Sequence, residues 1–155
     1  MKRDRFLVKS FGDNIEGTKT GFIKLLQILE EYTNAVVVVP NLGNIKYTMF
    51  VDVLGEALSN QLIKDRKIIL TDNKIITLCL ESTINNCKYA DVYLVLWGTN
   101  RNIQFIEALP QWKSMILVTW LPTDSEQWEK ENNVMIIYDD KKNNHTLAVN
   151  QLTSL

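Results

Sequence analysis

The sequence predicts an α/β domain built on a mainly parallel sheet with helices on both faces. Three observations carry this prediction. The runs Ala35–Val39, Val92–Trp97 and Met115–Trp120 are apolar almost throughout, as strands covered on both sides must be. Segments with apolar residues at helical spacing alternate with these runs. Each run ends in a bend rich in Pro, Gly, Asn or Thr, where a chain turns from strand to helix.

Taken in order, Phe6–Phe11 reads as a short first strand that Gly12-Asp13-Asn14 breaks. A helix follows from about Thr18, with Phe22, Leu25, Leu26, Leu29 and Tyr32 on its buried face, and Thr33-Asn34 closes it. Four consecutive valines in Ala35–Val39 disfavour a helix and suit a buried strand. Pro40 lacks a backbone donor and stops it. After the loop Pro40–Asn44, a helix is expected from about Lys46 to Ile63, with Tyr47, Phe50, Val51, Leu54, Ala57, Leu58 and Leu62 facing inward. Gly55 inside it costs about 1 kcal/mol relative to Ala and is expected to mark a close approach to the sheet.

Lys67–Leu70 and Ile75–Leu80 flank Thr71-Asp72-Asn73-Lys74. Asp and Asn tolerate left-handed backbone, so an inserted β-hairpin is expected over about 67–80. Glu81–Tyr89 reads as a short helix capped by Ser82, or as a plain connection. Val92–Trp97, the bend Gly98–Arg101 and a helix through Ile103, Ile106 and Leu109 to Pro110 form the most regular strand–helix unit. Beyond Met115–Trp120, Thr123 and Glu126 have capping-box spacing before a short helix through Trp128 to about Glu131. Val134–Tyr138 is the last clear strand, and His145–Leu155 reads as an edge strand or a loose tail. The order βα, βα, hairpin, βα, βα, β resembles the three-layer Rossmann-like and flavodoxin-like folds. The 155 residues are expected to form one domain, with 1–5 and about 146–155 loose or at an edge.

Composition bounds the function. Apolar residues make up 46% and charged residues 23%, ordinary values for a globular chain. A net charge of −1, from 17 basic and 18 acidic residues, argues against capture of nucleic acid or an anionic membrane by a broad basic field. The apolar runs fall far short of the roughly 20 residues of a spanning helix. Phe6–Val8 is shorter than the signal-peptide core of about seven apolar residues, so a cytoplasmic protein is expected. Cys79 and Cys87 form no C-x-x-C pair and read as reduced, structural thiols.

The conspicuous motif is Gly12-Asp13-Asn14-Ile15-Glu16-Gly17-Thr18-Lys19-Thr20, which resembles the phosphate-binding pattern G-x-x-x-x-G-K-[ST]. Thr18 is inserted before the lysine, and one extra residue turns that side chain by about 100° around the emerging helix. The glycines then read as a flexible turn ahead of a helix start. No G-x-G-x-x-G occurs, so tight dinucleotide binding is not expected. There is no G-x-S-x-G elbow. His145 stands alone, the carboxylate pairs Glu30-Glu31 and Asp139-Asp140 are adjacent and point different ways, and no spaced cluster suits a metal. No catalytic residue, metal or cofactor is therefore assigned.

Ligands of open α/β sheets bind at the carboxyl ends of the strands. The candidate ligand residues are accordingly Asn41, Gly43, Asn44, Trp97, Gly98, Thr99, Asn100, Arg101, Trp120 and Asp124. Thr99 or Asn100 would cap the helix and Arg101 would bind an anion, with Trp97 and Trp120 as aromatic walls. Trp112 and Trp128, beside polar residues, are candidates for an exposed interaction surface. The expected function is a non-enzymatic α/β binding or protein-interaction module, a component of a larger assembly, with a protein partner or self-association. The alternative is a sensor or enzyme for a nucleotide or phosphorylated metabolite at the Gly98–Asn102 edge.

Overall fold

The computed structural model describes residues 2–12, 14–40 and 47–140. The chain runs β1 (Asp4–Lys9), α1 (Ile15–Ile28), β2 (Asn34–Val39), α2 (Tyr47–Leu54), α3 (Glu56–Asp65), β3 (Lys67–Ile69), β4 (Ile75–Leu80), β5 (Val92–Leu96), α4 (Asn100–Glu107), β6 (Ser114–Val118), α5 (Glu126–Glu131) and β7 (Met135–Asp139). Short helical segments, Glu81–Asn86 and Pro122–Ser125, precede β5 and α5. The strands form one sheet in the order β3-β4-β2-β5-β6-β1-β7. Every pairing is parallel except β3 with β4. In Rossmann and flavodoxin sheets the first strand lies beside the second; here β5 and β6 separate them.

Alternation along the strands divides the core in two. Val37, Val39, Leu94, Leu96, Ile116 and Val118 pack with Phe22 and Leu25 of α1, Phe50 of α2 and Leu62 of α3. Val36, Val38, Tyr93, Val95, Met115 and Leu117 pack with Ile103 and Ile106 of α4 and Trp128 of α5. Helices therefore cover both faces, as the doubly buried valine and leucine runs require.

Several local expectations change. The first strand begins at Asp4, so Asp4 and Arg5 belong to the sheet. The first helix starts at Ile15, three residues before Thr18, because the Asn14 side chain accepts the Gly17 N–H at 2.9 Å. Leu26, placed on its buried face by spacing, is exposed. The segment after β2 is two helices. Gly55 separates them with φ +84°, and a Cβ there would meet nothing within 4 Å. It is a left-handed break, not a close approach to the sheet. β3 pairs antiparallel with β4 through a turn in which Asp72 and Asn73 have positive φ. β4 is also a full parallel partner of β2, so this segment supplies the sheet margin. Thr83, not Ser82, bonds the Leu80 N–H before Glu81–Asn86. Asp124 accepts the Leu121 N–H at 3.0 Å, and α5 begins after Ser125 without a side-chain cap, so no Thr123–Glu126 box forms.

The glycines of the conspicuous motif explain how α1 reaches across the sheet. Gly17 and Gly21 are four apart, on one helix face. A Cβ on Gly17 would lie 2.9 Å from Ser10 Cβ, and one on Gly21 would lie 2.8 Å from Val118 Cγ2 and 3.3 Å from Leu94 Cδ1. The helix thus lies almost directly on β6 and β5 while carrying the chain from β1 to β2. Replacing an exposed helical Gly by Ala gains about 1 kcal/mol, whereas overpacking costs about 1–3 kcal/mol. Gly21→Ala is expected to lower stability in urea unfolding, and Val118→Ala to relieve much of that loss in a double-mutant cycle. A stabilised Gly21→Ala would contradict this packing.

Trp112 and Trp128 are both fully buried, so neither offers a contact surface. Arg3 stacks over the Trp112 ring at 4.2 Å and donates to the Leu109 carbonyl at 2.8 Å. Trp128 Nε1 donates to Glu107 Oε2 at 2.8 Å. Arg5 binds the same carboxylate with Nε and Nη2, both at 2.7 Å. Burial raises the Glu107 pKa, but the hydrogen bonds from Arg5 and Trp128 and the charges of Arg5 and Arg3 outweigh it. The carboxyl is held below its ordinary value. A depressed folded-state pKa contributes stability above the unfolded pKa and loses it as pH falls through the folded one. Glu107→Gln should therefore destabilise the protein by about 1–3 kcal/mol at pH 7. Chemical denaturation should show this difference shrinking below about pH 4; a difference unchanged between pH 7 and pH 3 would contradict the assignment.

Candidate functional site

The connections leaving β2 and β5 diverge. The chain after β2 continues into α2 and α3 on the face of the first core, and the chain after β5 enters α4 on the opposite face. Neighbouring parallel strands whose connections part in this way leave a crevice at their carboxyl ends. A cleft of about 730 Å3 lies there, bounded by Pro40 after β2, the Glu81–Asn86 segment after β4, and the first turns of α4. Its size is that of a small-molecule site.

The bend between β5 and α4 has a specific construction. Trp97 adopts φ +56°, a left-handed conformation uncommon for a bulky residue. Its N–H still donates to the Val118 carbonyl at 2.7 Å. By strand alternation Trp97 would share the Val95 side, yet its ring packs against the first core, with Leu96. The next residue must be glycine, because a Cβ on Gly98 would lie 2.5 Å from Val95 Cγ1. Thr99 then stands at the N-cap of α4 without a side-chain cap bond. The amides of Asn100, Arg101 and Asn102 precede the first intrahelical bond, Ile103 N–H to Thr99 O at 3.1 Å.

Two side chains from this turn face the cleft. Arg101 is exposed and bonds to no other described residue. Asn102 is only 6% exposed, yet its carboxamide also hydrogen-bonds to no described residue. Among the described residues the buried side-chain polar atoms left without a partner are Ser59 Oγ, Trp97 Nε1 and Trp112 Nε1; the Asn102 carboxamide is not one of them and keeps a path to solvent. Asn102 lines the cleft, so its donors and acceptors are open to water or to a ligand there. Phe105, one turn further along α4, and Ile84 opposite it supply an apolar floor continuous with the second core. Glu81, Ser82, Asn85 and Gln104 complete the rim.

The predicted ligand residues divide accordingly. Gly98, Thr99, Asn100 and Arg101 build the start of α4, and Arg101 lines the cleft. Trp97 and Trp120 meet edge to face at 6.1 Å and 90°, but neither ring lines the cleft. Asp124 is engaged at the Leu121 turn beyond β6. Asn41, Gly43 and Asn44 lie outside the described residues, as does His145. Asn102, Phe105 and the Glu81–Asn85 wall were not among the predicted ligand residues. The only sequence signal for them was the position of Asn102 in the Gly98–Asn102 bend.

The other candidates take structural roles. In the Gly12–Thr20 motif, Gly12 donates to the Trp120 carbonyl at 2.7 Å and Gly17 and Thr18 are buried within α1. Lys19 is exposed and Thr20 Oγ1 donates to the Glu16 carbonyl at 2.8 Å. The chain from Asn14 onward is helix, not a loop wrapped around a phosphate. Burial, with Cys87 alongside, raises the Cys79 thiol pKa to about 12, which leaves it protonated and a poor nucleophile. Among the described residues no group of three His, Cys, Asp or Glu side chains is placed to hold a metal ion. None of their helices is long and apolar enough to cross a membrane.

Fold and cleft together define an α/β chain with an open, mostly parallel sheet and a crevice of mixed apolar and polar lining at the strands' carboxyl ends. No protein family model, curated protein or solved structure matches the chain.

Proposed function

We propose that this chain is a binding module that takes a small anionic ligand, a phosphorylated metabolite or nucleotide, in the cleft at the start of α4. The observation that carries this is Asn102, a residue only 6% exposed whose carboxamide opens onto the cleft and bonds to no described residue. Arg101 adds a guanidinium without a bond to any described residue, suited to charge-assisted bonds with phosphate oxygens. The uncapped amides of α4 add donors at the positive end of the helix dipole. The protein-interaction expectation rested mainly on Trp112 and Trp128, and their burial removes that main support. The strand–helix organisation of Rossmann-like and flavodoxin-like sheets, whose ligands sit at the carboxyl edge, supports the same end of the molecule.

Inorganic phosphate is the direct probe. A ligand that binds only the folded state raises its stability, by about 2.7 kcal/mol at a hundredfold excess over Kd. Phosphate also stabilises folded proteins generally by exclusion from their surfaces. The informative quantity is therefore the difference between wild type and Arg101→Ala at equal ionic strength. Arg101 is exposed, so the variant is expected to fold normally. Thermal unfolding in millimolar phosphate should raise the wild-type midpoint more than that of Arg101→Ala, and Asn102→Leu should lose part of the rise. Equal rises in wild type and Arg101→Ala would refute the proposal.

A further inference from the structure

We infer that the ligand of this cleft is a nucleoside monophosphate, with its phosphate at the start of α4 and its base against Phe105 and Ile84. This rests on the anion-binding reading above and narrows it. Arg101 and Phe105 are four residues apart and lie on one face of α4, about one helical turn of 5.4 Å from each other. A pentose is what spans that interval between a phosphate and a planar ring. A bare phosphorylated sugar would leave the floor of Phe105 and Ile84 uncovered, and that floor is continuous with the second core.

The polar groups around the floor suit a heterocycle. Asn85 and Gln104 line the cleft from opposite walls. A carboxamide both donates and accepts, as the mixed edge of a nucleobase requires. Gln104 Nε2 already donates to Glu131 Oε2 at 3.3 Å, so Gln104 offers its oxygen as acceptor and Asn85 supplies the donor. Glu81 is the one carboxylate among the described lining residues and Arg101 the one cation, so their charges cancel. A carboxylate accepts hydrogen bonds from sugar hydroxyls and repels additional phosphates. The cleft therefore selects one phosphate rather than three.

Isothermal titration of the whole chain at fixed ionic strength, with AMP, ATP, ribose 5-phosphate and inorganic phosphate, tests this. Stacking a base on an aromatic ring contributes about 1–3 kcal/mol, which converts to roughly 5- to 150-fold in affinity. AMP should bind at least about fivefold more tightly than ribose 5-phosphate, and more tightly than ATP. Phe105→Leu keeps the apolar volume but removes the ring face. It should bring AMP down to the affinity of ribose 5-phosphate while leaving ribose 5-phosphate binding unchanged. Arg101→Ala should weaken both. If AMP and ribose 5-phosphate bind equally and both depend on Arg101, the nucleotide assignment is overturned and the anion reading stands. If ATP binds more tightly than AMP, the monophosphate assignment is overturned. If none of the four binds, both readings fall.

Discussion

The position of β1 constrains everything else in this fold. It pairs with β6 on one side and β7 on the other, far from β2, so the first helix must carry the chain across two strands. Gly17 and Gly21 make that passage possible by letting α1 lie against Ser10, Val118 and Leu94 with no side chain between. The ladder is extended past the last β1–β6 pair by Ser10 and Thr119, whose hydroxyls and backbone groups exchange bonds of 2.8–3.0 Å. On the opposite face Arg5 of β1 holds Glu107, which also accepts from Trp128. One strand near the N-terminus therefore fixes α1 on one side of the sheet and α4 and α5 on the other.

Because β1 does not sit between them, β2 and β5 are neighbours. Their connections leave toward opposite faces, and the cleft opens at the end of β2, between the Glu81–Asn86 segment and α4. The backbone of Trp97 and Gly98 sharpens the result. Left-handed Trp97 turns its ring away to the first core, and Gly98 lets the chain pass over Val95. Asn102 is then drawn in beside the Glu81–Asn86 wall, and Arg101 lines the opening. Bulk goes to one face and hydrogen-bonding capacity to the other.

What could be read in advance was whatever depends on local pattern. Val36–Val39, Val92–Leu96 and Met115–Val118 show double burial in their unbroken apolar character, and the structure buries each of them. The start of α4 was legible because a polar bend after a buried strand has few other destinations. Contacts between distant segments were not legible. Trp112 and Trp128 look exposed beside polar neighbours, and only Arg3 and Glu107, far away in sequence, show otherwise. Gly17 looked like a turn residue because the motif drew attention to Gly12 and Gly17, while Gly21 fell inside the expected helix. The spacing of four between Gly17 and Gly21 was the helical signal. Asn102 reads as an ordinary solvent-facing residue until the Glu81–Asn86 segment is placed against it.

Under the proposed function an anion binds in the cleft between the Glu81–Asn86 segment and α4, and not at the glycine-rich start of α1. An amide-resolved NMR titration with inorganic phosphate reports on both places in one experiment. Saturable shifts are expected at Gly98–Phe105 and Glu81–Asn85, with the Asn102 side-chain amide among the largest. Shifts centred on Gly12–Lys19, or none at either place, would contradict it.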